Sequence, residues 1–190
     1  MIPIIHKVNS IEKLNNVPDD YGVEIDIRNN SGELVLSHDL HESTTTLKEF
    51  LNNYDKKLLI ANIKESGIEN ISIDMIKDKN IENFFLLDVE FPYIYQNYSQ
   101  QKKYLSTRFS AYESIESVAR LVNKVTWLWI DTYSDFELDE KTADVVKNFK
   151  TCLVSPSRWG QPEMLQNYLN KFKNQNIDLD AIMIEKNENI

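Results

Sequence analysis

The chain has 190 residues, with 30 acidic against 21 basic side chains, a net charge of -9, one cysteine and four glycines. Average usage would give roughly 13 glycines, and neither G-x-G-x-x-G nor G-x-x-x-x-G-K-[ST] occurs, which excludes a backbone phosphate cradle of the dinucleotide-binding or P-loop kind. The acidic balance argues against a nucleic-acid partner, which needs a Lys/Arg face, and no apolar run approaches the length of a membrane span.

The length is that of one domain, 1–190. Cys152 alone can neither staple a fold nor build a cysteine zinc site, which suits a reducing, cytoplasmic setting. The first apolar run is Ile2 to His6, and Asn9-x-x-Glu12 then predicts a short helix that stops before Pro18. Val23 to Arg28 reads as a strand in which Glu24 and Asp26, spaced i,i+2, point to one face. Asn30-Ser31-Gly32 is a turn signal, and Glu33 to Ser37 reads as a hairpin-like extension that delivers His38 and Asp39. His41 reads as a solvated loop residue. Thr46-x-x-Glu49 is a capping box ahead of Phe50 and Leu51. Leu58 to Lys64 is the next strand, with Asn62 and Lys64 on one face. Phe84 to Glu90 follows, with Asp88 and Glu90 in the same relation, and Phe91 to Tyr95 reads as a helix start. Tyr104 to Phe109 is a strand with Arg108 near its end, and residues 114–122 read as a helix. Trp127 to Thr132 places Trp127, Trp129 and Asp131 on one face, and 139–149 reads as a helix. Thr151 to Ser155 is a strand followed by Trp159. Pro162 then stands at a first helical position before Met164, Leu165, Tyr168, Leu169 and Phe172. Ala181 to Glu185 is the last run.

Eight strands separated by helical segments predict an α/β fold: a compact (β/α)8 TIM barrel with trimmed helices and a hairpin-like extension after its second strand. In such a barrel function collects at the carboxyl ends of the strands. His6, Glu24, Asp26, Asn62, Lys64, Arg108, Asp131 and Ser155 all fall there. Charges inside apolar strands are costly unless paired or metal-bound, so a ring of them points to a site. Two histidines flanking a phosphorus suit phosphodiester cleavage, one taking a proton and the other giving one. Glu24, Asp26 and the Asn62 carbonyl are hard oxygen donors for one divalent cation, Mg²⁺ or Ca²⁺. Lys64 and Arg108 could neutralise charge building on phosphate oxygens. Trp127 and Trp129 read as barrel filling, whereas Trp159, near the mouth, could stack on a sugar or alkyl group.

The order His6-Lys7, Glu24-Ile25-Asp26, then Gly32 through His38-Asp39 resembles the His-Arg, Glu-x-Asp, His-Asp signature of the glycerophosphodiester phosphodiesterase family. Asn62-Ile63-Lys64 is similar to that family's Glu-x-Lys strand, and shorter matches run through Arg108 to Glu113, Trp129 to Asp131 and Val154 to Pro156. The resemblance implies an acid/base pair, His6 and His38, metal ligands Glu24 and Asp26, phosphate contact by Lys64, and support of the neighbouring histidine by Asp39. It implies a small glycerol- or sugar-linked phosphodiester as substrate, cleaved first by the substrate's own hydroxyl through a cyclic phosphate. Lys7 stands for the usual arginine, Val8 for a glycine and Asn62 for an acidic third ligand, as in a divergent bacterial branch. Two other readings share these residues. One is a degenerate barrel that binds a phosphorylated ligand or a protein partner. The other is a metal-dependent sugar isomerase, or an aldolase with Lys64 as Schiff base.

Overall fold

The computed structural model describes residues 1–39 and 45–185, so His41 lies outside the described residues. The eight apolar runs form β1 (Ile2–Ile5), β2 (Gly22–Asn30), β4 (Leu59–Ile63), β5 (Phe84–Leu87), β6 (Ser106–Phe109), β7 (Trp127–Ile130), β8 (Lys150–Val154) and β9 (Ala181–Ile184). They pair in parallel in the order β5-β4-β2-β1-β9-β8-β7-β6. The ring closes between β5 and β6, where one parallel bridge joins Leu86 and Leu105. The Ser106 hydroxyl donates to the Leu86 carbonyl there (2.6 Å), and Phe84 stacks on Tyr104 at 4.3 Å. This is the expected (β/α)8 barrel. β3 (Glu33–Leu36) pairs antiparallel with the far half of β2, and Ser31 and Gly32 take left-handed conformations in the turn between them, as a tight hairpin turn requires.

Alternation along each strand sorts the side chains into two cores. Facing outward, Val23, Ile25, Ile27, Leu59 and Ala61 pack with Leu14, Leu47, Phe50 and Ile73 from the helices. On the other half, Leu128, Ile130, Leu153 and Ile182 pack with Val118, Val146, Tyr168 and Phe172. Facing inward, Ile4, Ile60, Phe85, Trp127, Trp129, Cys152 and Met183 fill the barrel. Phe85 stacks on Trp127 at 4.6 Å across the closing seam. The next inward residues along the strands are polar: Glu24 and Asp26, Asn62, Arg108 and Asp131. The apolar plug therefore forms the floor of a polar mouth.

Gly22 opens β2 hard against Ile4 of β1 and against Leu58, just before β4. A Cβ there would stand 2.5 Å from the Ile4 side chain and 2.5 Å from the Leu58 carbonyl oxygen. The carbonyl belongs to the sheet and cannot step aside. Gly22→Ala is expected to destabilise the protein by about 1–3 kcal/mol, the usual cost of overpacking, as read from the urea unfolding midpoint.

The helices are short, as the length demands: α1 (Ile11–Asn15), α2 (Leu47–Asn52), α3 (Glu69–Lys77), α4 (Phe91–Gln101), α5 (Ile115–Ala119), α6 (Glu140–Val146) and α7 (Leu165–Asn174). The Thr46–Glu49 capping box is formed in full. Three expectations need correction. Ser10, not Asn9, caps α1, because the Asn9 amide is drawn to Asp26. Pro162 opens a short 3₁₀ turn through Met164, and the α-helix begins only at Leu165. Asp88 and Glu90 lie beyond β5: Asp88 turns left-handed (φ 60°) and Glu90 precedes α4.

Candidate active site

The barrel mouth holds a pocket of ≈ 220 Å³. His6, Lys7, Glu24, Asp26, His38, Asn62, Lys64, Arg108, Asp131 and Trp159, all singled out from the sequence, line it. Asp39 stands behind His38 instead of on the wall. Four cationic side chains (Lys7, Lys64, Arg108, Arg158) face four carboxylates (Glu24, Asp26, Asp88, Asp131) in it. The protein's net negative charge thus does not extend into the mouth, which removes the local repulsion an anionic substrate would otherwise meet.

Glu24 and Asp26 point inward from β2 and are both buried. The Glu24 carboxylate accepts from the Asn62 amide (2.9 Å) and from the Lys7 backbone N–H (2.9 Å). Lys7 takes a left-handed φ of 54° to make that second bond. Val8 does not share this conformation; it is buried in the outer core, so a valine there meets no backbone conflict. Asp26 binds the Lys64 ammonium at 2.8 Å and the Asn9 amide at 2.8 Å. Burial and then the Asp26 charge push the Glu24 carboxyl up to about 7. Burial pushes Asp26 up as well, but its bonds to Lys64 and Asn9 outweigh this and hold it below its ordinary value.

His6 follows β1, with Nε2 3.8 Å from Glu24 and Nδ1 3.9 Å from Glu185. Its side chain is 14% exposed against 42% for His38. Burial, with the charges of Arg158 and Lys7 adding to it, lowers the His6 imidazole to about 3. The hairpin on β2 carries His38 to the same pocket. The Arg28 guanidinium grips the His38 carbonyl (2.9 and 3.2 Å), the Ser37 N–H donates to the Asp26 carbonyl (3.0 Å), and Asp39 Oδ1 lies 3.0 Å from His38 Nδ1.

The state of His6 predicts a pH effect on stability in metal-free protein. The folded imidazole takes its proton only near 3, the free one near 6.5. Between those values the unfolded chain binds more protons, so stability is lost as pH falls from 6.5 toward 3. From pH 7 to pH 4 this amounts to about 3 kcal/mol. Glu24 acts with the opposite sign but is present in both proteins, so a comparison of wild type with His6→Asn isolates the histidine. Urea unfolding in chelator should show the gap moving in favour of His6→Asn by that amount. A gap that does not move with pH contradicts the burial of a neutral His6.

The far side of the pocket is built from β6, β7 and the loops after β5, β7 and β8. Arg108 binds Asp88 at 2.5 Å and also Asp131, and its Nη1 is 3.5 Å from the Tyr133 hydroxyl. Burial opposes the Arg108 charge, but the two carboxylates outweigh it; burial raises Asp131. Trp159, Tyr133 and Tyr112 form an aromatic chain in that order, with centroids 4.4 Å and 6.4 Å apart. Arg158 lies over Trp159 at 5.5 Å and reaches Glu185 at 3.7 Å.

Nothing in the local sequence marks Asn9, Arg28, Tyr133 or Arg158 as site residues. Tyr133 and Arg158 lie in loops that follow barrel strands, and that position was the signal available for them. Asn9 looks like a helix cap by its spacing to Glu12, and Arg28 sits at the end of an apolar run like any solvated strand residue.

Glu24, Asp26 and Asn62 fit a hard divalent cation. The Asn62 carbonyl oxygen is buried with no hydrogen-bond partner among the described residues, and it stands beside two buried carboxylates whose mutual repulsion a cation would relieve. Such oxygen donors suit Mg²⁺ or Ca²⁺. No cluster of three or more His, Cys, Asp or Glu side chains suited to a metal occurs among the described residues. A cation held by Glu24 and Asp26 would have to take the neutral Asn62 carbonyl as its third donor.

No family model and no curated protein matches this sequence. Among solved structures it is similar to glycerophosphodiester phosphodiesterase from Agrobacterium tumefaciens str. C58, with a TM-score of 0.65 and 10% identity over 96% of each chain. It is also similar to a glycerophosphoryl diester phosphodiesterase from Parabacteroides distasonis ATCC 8503, with a TM-score of 0.56 and 15% identity over 97% of this chain and 82% of that one. The chain has the fold of those phosphodiesterases. Among the described residues, no helix is long and apolar enough to cross a membrane.

Proposed function

We propose that the protein is a phosphodiester hydrolase acting on a glycerol- or sugar-linked phosphodiester, with His6 and His38 as its proton-transfer pair. The observation that carries this reading is the convergence on one pocket of two histidines, two buried carboxylates, Asn62 and Lys64, from β1, β2, β4 and the hairpin, within a phosphodiesterase fold. Buried beside Arg158 and Lys7, His6 is held neutral, and the negative charge of a bound phosphate would raise its proton affinity toward the range a general base needs. It takes the proton of the attacking hydroxyl, the substrate's own or a water's, as the new phosphorus–oxygen bond forms. His38, nearer solvent, is oriented by Asp39 at Nδ1, which leaves Nε2 to give a proton to the departing alcohol as its bond to phosphorus breaks. Where a cyclic phosphate forms first, water opens it with the two roles exchanged.

A divalent cation held by Glu24, Asp26 and the Asn62 carbonyl would supply Lewis-acid polarisation of a phosphoryl oxygen. Lys64 spends one of its three donors on Asp26 and has others to place on the phosphate. That ion pair also weighs against the aldolase reading, since Schiff-base chemistry needs a neutral amine. Hydrolysis of a phosphodiester panel by wild type, His6→Ala and His38→Ala tests the proposal. No turnover of any diester, or turnover that survives both substitutions, would overturn it.

A further inference from the structure

The far side of the pocket is not built to hold phosphate. Two carboxylates, Asp88 and Asp131, already bind Arg108, and Arg158, the other cation on this side, reaches Glu185 at 3.7 Å. The Arg108 charge is spent within the protein, and a phosphate placed there would meet the two carboxylates as well. What the cluster does offer is fixed polarity: guanidinium N–H donors beside carboxylate acceptors, held by a buried Asp131 and a left-handed Asp88. Donors and acceptors set side by side are what vicinal hydroxyl groups, each both donor and acceptor, can satisfy.

Tyr133 and Trp159 stand against this cluster as an apolar wall, 39% and 37% exposed. Both rings already have a guanidinium for company, Arg158 over Trp159 and Arg108 at the Tyr133 hydroxyl. That disfavours a cationic group such as a quaternary ammonium, which would compete for the same aromatic faces against like charge. A neutral ring with apolar C–H faces and an equatorial rim of hydroxyls suits both walls.

We propose that Tyr133 and Trp159, opposite the Asp88–Arg108–Asp131 cluster, form a subsite for a neutral polyhydroxylated ring, making the substrate a sugar-linked phosphodiester and not a choline-type one. This rests on the hydrolase reading for its meaning, yet it can be tested without turnover. Isothermal titration of the full chain in Mg²⁺ would compare glucose 1-phosphate, phosphocholine and inorganic phosphate. Glucose 1-phosphate should bind about tenfold more tightly than either of the others, the scale of one good aromatic contact. Trp159→Ala should erase that ratio and Trp159→Phe should retain most of it, with unchanged circular dichroism for both. Equal affinities, no binding of glucose 1-phosphate, a preference for phosphocholine, or a preference that survives Trp159→Ala would each overturn the subsite. Sugar preference without hydrolysis of any diester would instead overturn the hydrolase reading and leave the subsite standing.

Discussion

His38→Ala should lower kcat on a cleavable phosphodiester by about 10²–10⁴-fold while leaving the fold unchanged, and His6→Ala should do the same. The two losses should differ in their dependence on the leaving group. If His38 gives its proton to the departing oxygen, a diester with an acidic alcohol such as a nitrophenol needs little protonation, and His38→Ala should lose much less on it. His6→Ala should stay impaired on both kinds of substrate, because the attacking hydroxyl still needs its base. Steady-state kinetics on one alkyl and one nitrophenyl diester separates the roles. Equal sensitivity of the two variants on both substrates would contradict the assignment. Folding is a small concern at His38, which is partly exposed on the hairpin. At His6 the circular dichroism and melting temperature must accompany the rates.

Lys64→Met should have the second largest effect, on both stability and rate. The Lys64 ammonium is the charge bonded to Asp26, which is fully buried beside an equally buried Glu24. Removing one partner of a buried pair leaves the other uncompensated, at a cost of about 3–5 kcal/mol. Because Lys64 is 17% exposed, the lower end of that range is expected in chelator. Mg²⁺ or Ca²⁺ should return part of it. A cation at a hundred times its dissociation constant adds about 2.7 kcal/mol, and the melting temperature of Lys64→Met should rise more on cation addition than that of wild type. Hydrolysis should stay depressed, since the phosphate contact is lost whether or not the cation is present. A melting temperature insensitive to both cations in both proteins would contradict a cation site at Glu24, Asp26 and Asn62.

Much of the barrel was legible because its physics is local. Parallel strands buried on both faces must be near-continuous apolar runs, and each of the eight runs became a strand. Where a charge interrupted a run, as at Glu24, Asp26 or Asp131, it marked the inward polar layer. The hairpin was legible from Ser31-Gly32, since few residue pairs tolerate its turn. α3 was not, because Ile68 precedes it and offers no side-chain cap. Asp88 was misplaced in a strand because periodicity continues through it; only the backbone reveals the left-handed turn. The site's far wall was the least legible part. Arg108, Asp88 and Asp131 are 20 and 23 residues apart in pairs, and only the closed ring of strands tells that the cation is already matched. The same holds for Asn9, whose turn-like sequence context says nothing of Asp26, 17 residues on.

The glycine shortage also takes on meaning. Gly32, Gly67 and Gly160 each adopt a left-handed conformation, and Gly22 leaves room for Ile4 and Leu58. With glycine confined to such places, phosphate recognition in the proposed reaction would fall to side chains. The most direct test of that account is phosphorus NMR of a glycerol- or sugar-linked phosphodiester incubated with the purified protein and Mg²⁺ or Ca²⁺. The diester resonance should give way to a cyclic phosphate or a phosphomonoester with wild type and persist with the His6→Ala/His38→Ala double variant. A diester left intact by wild type, or consumed equally by the double variant, would contradict it.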